Sequence, residues 1–579
     1  MAVLAPAASD SGKGWWRELN GYHWFVLVVC TLGWMFDCLD QQLFNLARKP
    51  AVSDLKGLEL THPDVDKYGG LSTSILLFGW ATGGIIFGVL GDRIGRVKTM
   101  ICTILSYSVF TGLSGLSFSL WDFLTYRFIA GLGVGGQFAV GVSLVAESLP
   151  DRARPHALGM LQAFSAVGNV GAGVISLVLF QMAESGVIGA AWRWMFAVGV
   201  FPAMLAVVVF ARLREPEAWL RAKQEGKATG SKSGSITELF TDPRWRRHTI
   251  VGMILASSGV IGLWAIGVFS NDLTQSVFRK QYQQEYRDQG HGEQDVDFVR
   301  LAVASPDRFA DYAKIKPKHI LGRDTKDKDA QRLYSALIAL CEEVTANRAP
   351  GQAGAAAITP EAVIAKAIAN DQGGAKSTST DEQRTAEEKR LAELLATKAQ
   401  GDLNEHIQRI DAREKSISGR VGRWASGTLM LFNVGAFIGI YLFSTITARI
   451  GRRLAFAIAF LSAMITTAMA FLFMKSPTDL FWMVPLMGAG QLSVFGGYAI
   501  YFPELFPTRL RATGTSFCYN IARFVAVPGP AVMTGMAAGL FGHTAEPMRY
   551  AGVTMCSCFL IGMVALLFAP ETKGKPLPE

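Results

Sequence analysis

ESLPDRAR (residues 147–154) and ELFPTRLR (residues 504–511) are the two stretches on which the reading of this chain turns. Glu147, Pro150, Arg152 and Arg154 return as Glu504, Pro507, Arg509 and Arg511, each 357 residues later. A second echo keeps nearly the same offset: DRIGR at 92–96 against ARIGR at 448–452, 356 residues on. Self-similarity at one long offset is the mark of a chain built from two related halves. Both echoes are short, charged and hemmed by apolar sequence, so they read as turns between buried segments.

Outward from these turns the 579 residues fall into apolar blocks. Half of all residues are hydrophobic and the mean hydropathy is +0.26. Twelve blocks of about 20 residues carry few charges, at about 22–46, 69–90, 97–118, 122–146, 156–182, 191–211, 248–272, 424–447, 454–474, 479–501, 515–540 and 549–568. That length crosses roughly 30 Å of hydrocarbon. Each block is expected to be a helix, because lipid offers no partner for an open backbone N–H or C=O. The seventh block starts about 226 residues after the first, about 130 short of the repeat offset, so an insertion of that length is expected after it. The expected fold is an all-α membrane protein of twelve transmembrane helices in two parallel six-helix halves, with a helical soluble insertion after helix 7.

The expected organisation is a cytoplasmic N-terminal segment at 1–21, a first half at 22–211, a cytoplasmic linker at 212–247, helix 7 at 248–278, an insertion at 279–418 that the alternation of loops places outside, helices 8–12 at 419–569 and a cytoplasmic C-terminal segment at 570–579. The linker stretch GKATGSKSGS (226–235) reads as flexible by composition. In the insertion, SPDRF (305–309) and TPEAV (359–363) carry helix-start signals. DAQRLYSALIALCEEV (329–344) and DEQRTAEEKRLAELLATKAQ (381–400) read as helices, with 371–380 as a link. His291, His319 and His406 show no ligand spacing, and no metal or cofactor is expected.

Lys and Arg set the orientation. With the N-terminus inside, the inner segments hold about 23 of them and the short outer loops about 7; 212–247 alone holds nine. Both termini are therefore expected in the cytoplasm, in the plasma membrane (the inner membrane of a bacterium). The first 20 residues have no apolar core before a cleavage site, so no secretory signal is expected. The net charge of +9 is this loop bias and implies no nucleic acid. Six of the seven cysteines, Cys30, Cys38, Cys102, Cys518, Cys556 and Cys558, fall in apolar blocks; Cys341 does not, and no CxxC pair supports a disulfide framework or zinc site.

Charges inside the blocks carry the functional reading. In GWMFDCLDQQLFNL (33–46), Asp37 and Asp40 stand where hydrocarbon should be. An ionised Asp at a bilayer centre costs about 2.5–3.5 kcal/mol even on the lenient insertion scale. Three residues apart, they share a helix face with Gln41 and Phe44. A carboxylate that takes and releases a proton there is what proton coupling needs; the plainer alternative is pairing with a helix terminus or an arginine. Arg127, entering the fourth block, is a candidate to pair with Asp37 or Asp40, or to hold a substrate carboxylate with its fork. Arg523 is the only charge inside the eleventh block, with Asn520 three residues before it. It is a substrate-anion candidate or a side chain snorkelling to the inner face. Gln41, Gln137, Gln162, Asn169, Trp264, Asn433, Gln491 and Tyr498 are further cavity candidates, or else helix–helix glue. Gly131, Gly133, Gly135 and Gly136 read as close helix packing rather than a phosphate loop. In GVLGDRIGRVK (88–98), Gly91 and Gly95 allow a tight turn, and Asp92 can face a helix N-terminus or an arginine and so latch the inner side. Arg93, Arg96, Glu147, Arg152, Arg154, Arg449, Glu504, Arg509 and Arg511 complete the gating set.

GVLGDRIGRVK resembles the signature loop of the major facilitator superfamily. RFIAGLGVGGQFAVGVSLVAESLPDRAR (127–154), WRWMF (192–196), LREPEAWL (213–220), PELFPTRLRATG (503–514) and PETKG (570–574) resemble its sugar-porter and organic-acid symporter branches. FDCLD (36–40) is similar to the DGxD of aromatic-acid and sialate proton symporters, with Cys38 where glycine is usual. The resemblance covers all of the chain except 279–418. It implies a twelve-helix transporter with alternating access, and it favours pairing of Arg127 with Asp37 or Asp40. GNVGAGV (168–174) in the fifth block lacks the proline of drug–proton antiporters. The expectation is a proton-coupled symporter of a small polar metabolite, an organic acid first, working as a monomer with substrate, protons and the lipid bilayer as its partners. A sugar or polyol carrier or facilitator is one alternative. A transporter-like receptor sensing ligand through the insertion is another. No nucleophile–base or metal constellation points to an enzyme.

Overall fold

A computed structural model of the chain describes residues 14–58, 63–229, 233–288, 417, 420, 421, 424, 427–544 and 546–578. Every regular element among them is helical. Among the described residues eleven helices are long and apolar enough to cross a bilayer: span 1 (Gly21–Lys56), span 2 (Lys67–Arg93), span 3 (Arg96–Gly115), span 4 (Leu120–Ser148), span 5 (Arg154–Ala183), span 6 (Ala191–Val209), span 8 (Gly427–Ile450), span 9 (Arg452–Phe473), span 10 (Pro477–Leu505), span 11 (Thr508–Gly539) and span 12 (Pro547–Ala565). The expected seventh block is helical, as Pro243–Ile261, a π turn at Gly262–Ile266 and Gly267–Asp288, but does not reach the apolarity of the other eleven. Arg244, Arg246, Arg247 and His248 crowd its start, and Asn271 and Asp272 interrupt its second part.

The chain divides into two compact units, Met1–Thr274 with Ala425–Glu579, and Gln275–Trp424. In the second unit Arg420 pairs with Glu285 at 3.0 Å, and Phe278 stacks on Trp424. The helix starts, links and histidines read between 289 and 416, with Cys341, lie outside the described residues.

The first unit repeats itself in detail. Span 4 starts in a capping box, Ser119 with Asp122, and span 10 in another, Ser476 with Asp479, 357 residues on. Each box satisfies two backbone N–H groups that a helix start would leave open. Spans 2 and 4 approach so closely that a Cβ at Gly135 would collide with the Trp80 carbonyl oxygen. In the other half a Cβ at Gly439 would collide with the Ala489 carbonyl. Small residues allow this because lipid supplies no hydrophobic push between helices, and contact area has to do the work. Outward, Val174, Leu177, Val207, Ile438, Ile561 and Leu567 stay exposed, as side chains facing lipid do.

The linker is less loose than its composition suggests. Helix Glu217–Thr229 takes in the first four residues of the stretch read as flexible, and a second helix, Ile236–Thr241, follows. Ser235 caps the second helix by accepting from the Glu238 N–H.

Candidate transport site and gate

Asp37 and Asp40 are each 1% exposed in the middle of span 1. One carboxylate oxygen of each, Oδ1, has no hydrogen-bond partner. Burying such a group without a partner is costly, so the fold retains it against its own stability. Coulombic interaction reaches Asp37 from Asp40 and Arg523, and reaches Asp40 from Arg127.

The expected ion pair between Arg127 and either aspartate is not formed. Its Nε donates to Ser114 Oγ at 2.9 Å and its Nη2 to the Phe110 carbonyl at 3.3 Å. Its guanidinium lies 4.7 Å from the Phe196 ring centre, and Nη1 has no partner. Span 3 therefore holds the side chain, and Asp40 feels its charge at longer range.

Arg523 does not snorkel. It is buried, with its guanidinium 4.0 Å from the ring centre of Trp80 in span 2 and 4.3 Å from that of Tyr519. Nη1 donates to Asn520 Oδ1 at 2.7 Å, and Nε has no partner. Asn520 completes its own bonds through Nδ2, to the Ser516 carbonyl and hydroxyl. An arginine clasped between two rings, with an N–H free, is a fixed cation that can take an anion's oxygen. Trp80 also meets Trp264 edge to face at 6.2 Å.

The other cavity candidates divide. Gln137 accepts from Thr103 Oγ1 through Oε1 and keeps Nε2 unpaired. Gln491 donates to Thr467 and keeps Oε1 unpaired, as does Gln162. Asn169 donates to Asn433 at 2.9 Å and so joins the two halves, beside a cleft lined by Leu46, Phe180 and Met430. Gln41 is half-buried. Tyr498 belongs to the packed core instead: it is fully buried, stacked on Phe502, with its hydroxyl donating to the Leu255 carbonyl. Sequence reading missed Trp34, Trp80 and Tyr107, whose indole N–H or hydroxyl groups are buried without partners. A usable signal existed for Trp34, which stands three residues before Asp37 and shares its face.

At the end of the bundle that carries the basic turns, each half holds the same knot. Arg96 binds Glu147 with both Nε (2.9 Å) and Nη2 (2.8 Å), and Nη1 reaches the Gly91 carbonyl. Arg452 binds Glu504 in the same two-pronged way (3.0 and 2.8 Å), and Nη1 reaches the Thr447 carbonyl. Gly95 and Gly451 precede these arginines with φ of 120° and 98°, a backbone region that favours glycine. Glu215 takes the N–H groups that open span 3, and Glu571 those that open span 9. Glu215 and Glu571 are also 356 residues apart, an echo the sequence reading passed over. Glu571 lies beyond span 12. Partial burial pushes its carboxyl up, but the N–H groups of Arg452, Lys573 and Arg453 outweigh that and hold it below the usual carboxylate range.

The halves meet unequally. Asp92 accepts from the Ala512 N–H (3.2 Å), the Thr513 N–H (2.8 Å) and the Thr513 hydroxyl (2.5 Å), at the N-terminus of the helical part of span 11. It also pairs with Arg96 at 3.0 Å. Arg511 crosses back to Glu147 at 2.8 Å, and Arg96 to the Thr508 carbonyl at 2.6 Å. The counterpart of Asp92 is Ala448, which has no carboxylate. Arg509 pairs with Glu238, Arg152 with Glu18, and Arg154 closes the end of its own span 4 at the Ala146 carbonyl. Arg93 is exposed and donates to the Ser233 carbonyl, and the Arg449 carbonyl accepts from Lys573.

Residues 31–282 match the family model of the Major Facilitator Superfamily. That stretch is similar to the superfamily. Among curated relatives the chain is 34% identical over 257 residues to a putative metabolite transport protein of Haemophilus influenzae, covering 44% of this chain and 60% of the relative. It is 33% identical over 202 residues to the niacin transporter NiaP of Acinetobacter baylyi, covering 35% and 43%. It is 29% identical over 215 residues to the sialic acid transporter NanX of Escherichia coli, covering 37% and 50%. The chain spans about half the length of the curated relatives it matches. In fold it is similar to the proton:xylose symporter XylE, with a TM-score of 0.53 at 17% identity, over 96% of this chain and 98% of that one.

Proposed function

We propose that this protein is a major facilitator, a secondary active transporter that couples protons to uptake of a small organic acid by alternating access. The observation that carries the reading is the pair Asp37 and Asp40, buried in span 1 with one oxygen of each unpaired. They share Coulombic reach with Arg523 on the other half and Arg127 on their own. A proton on Asp37 weakens its hold on Arg523 and leaves that cation for a substrate carboxylate. Release of one then favours release of the other. Relatives named for niacin, muconate and sialic acid transport support an acidic substrate. The basic end, on this reading, faces the cytoplasm of a bacterial cell, and the protein acts as a monomer.

A sugar or polyol carrier is the second reading, favoured by the unpaired amide atoms of Gln137, Gln162 and Gln491. Purified protein in liposomes separates the two. A panel of acids and sugars is offered with and without an inward proton gradient. Uphill uptake of an acid that stops when the gradient is collapsed supports acid symport. Sugar uptake that ignores the gradient overturns it.

A further inference from the structure

The linker stretch 233–241 touches both halves at the Asp92 junction, and its contacts differ on the two sides. Toward the second half they are strong. The Gly234 N–H donates to the Arg509 carbonyl at 2.9 Å. The Glu238 carboxylate meets both terminal nitrogens of Arg509, at 2.6 and 2.5 Å. Phe240 lies edge-on to Phe517 at 5.4 Å, and Leu239 is fully buried with its carbonyl accepting from Thr249. Toward the first half there is one bond, from Arg93 Nε to the Ser233 carbonyl at 3.4 Å, and a close approach of bare backbone. Gly234 is buried with φ +67°, and a Cβ there would stand 2.8 Å from the Val89 carbonyl and 3.4 Å from Asp92 Cβ.

We infer that residues 233–241 are a wedge carried by the second half, and that its tip at Gly234 sets how closely Val89–Asp92 of the first half can approach span 11. The inference rests on the alternating-access reading. Opening the basic end parts Asp92 from Ala512 and Thr513. The wedge then keeps Arg509 and Phe517, because these move with it, and leaves Val89. Closing brings the tip back against the Val89 carbonyl, where only a hydrogen on Cα fits. An added methyl at Gly234 therefore works against the closed junction alone.

The test uses full-length protein in liposomes without substrate. Spin labels are placed at Ile94→Cys and Ile450→Cys, which are exposed in the two symmetry-related turns. Cys102 and Cys341 are replaced by serine; the other five cysteines are buried. Pulsed electron resonance reads the distance distribution. Gly234→Ala should raise the long-distance population roughly tenfold from a minor state. Gly234→Asn should do the same, because Asn tolerates the left-handed region and still brings a Cβ. Gly57→Ala is the control for strain: Gly57 has φ +62° and nothing within 4 Å of a Cβ. It should leave the distribution unchanged. Asp92→Asn marks what an opened junction looks like. The wedge is overturned if Asp92→Asn lengthens the distance while both Gly234 variants match the parent, or if Gly57→Ala lengthens it as much as they do. If no variant lengthens it, Asp92→Asn included, the alternating-access reading and the wedge fall together.

Discussion

Asp92→Asn tests the gate most directly, because the structure supplies its arithmetic. The carboxylate receives three hydrogen bonds from the start of the helix in span 11 and one ion pair from Arg96. Hydrogen bonds to a charged group contribute about 1.5–3 kcal/mol each. A negative charge at a partly buried helix N-terminus adds up to about 2 kcal/mol. Asn keeps one carbonyl oxygen for one of the three donors, and turns an NH2 group toward the others or away from them. With partial compensation by water in the opened junction, the net loss is about 2–4 kcal/mol, and at 1.4 kcal/mol per tenfold this moves the closed–open ratio roughly 30- to 700-fold. The loss falls on the closed state alone, since all three donors belong to the other half. Folding is spared because Arg96 keeps its two-pronged bond to Glu147 and is not left as an unpaired buried charge. The assay is alkylation of Ser516→Cys by an impermeant maleimide added to the basic side. Ser516 is fully buried, with its hydroxyl donating to the Gly84 carbonyl, so it reacts only when the junction opens. Asp92→Asn should raise the rate at least tenfold, with transport slowed and Tm near the parent's. A rate within twofold of the parent would refute the latch.

Three further outcomes are expected. Asp37→Asn and Asp40→Asn should each lose uphill, proton-driven uptake yet keep counterflow exchange, since Asn holds shape but not a proton and, at 37, mimics the neutral acid that leaves Arg523 to the substrate; uphill accumulation by both variants would end the symport reading. A cysteine placed at 226–235 should resist impermeant label from outside intact cells while Cys341 accepts it; the opposite pattern inverts the orientation. Glu571 has a depressed folded-state pKa, so its contribution to stability is present above the ordinary value of 4.5 and is lost as pH falls through the lower folded value. Glu571→Gln should therefore lower Tm at pH 7 and flatten its acid-side decline, and an unchanged acid limb would show that the cap carries no linkage.

Much of the architecture was legible from the chain alone. Apolar blocks of bilayer length announce helices because lipid leaves the backbone no other choice. The repeat offset that links Glu147 to Glu504 and Arg96 to Arg452 announces two halves, and the structure builds one knot from each set. Even the partners of Asp92, a helix start and an arginine, are those expected of a carboxylate in a glycine-bounded turn. These are local matters: which residues share a face, and what a turn can hold, depends on neighbours within a few residues.

What the chain alone did not decide is who stands opposite whom. Arg127 is bonded to Ser114 and lies against Phe196 rather than ion-paired with an aspartate, because spans 3 and 6 close on it first. Tyr498 looks from sequence like a cavity group, yet span 10 turns it onto Phe502 and the Leu255 carbonyl. Arg523 finds Trp80 more than 400 residues away, and Asp37 within its Coulombic reach. The linker read as flexible supplies Gly234 to a contact with Val89 that composition gives no hint of. The period of a helix orients a side chain to within a face. Only the packing of one helix against another selects its partner on that face, and that selection is made by close contacts between residues distant in the chain.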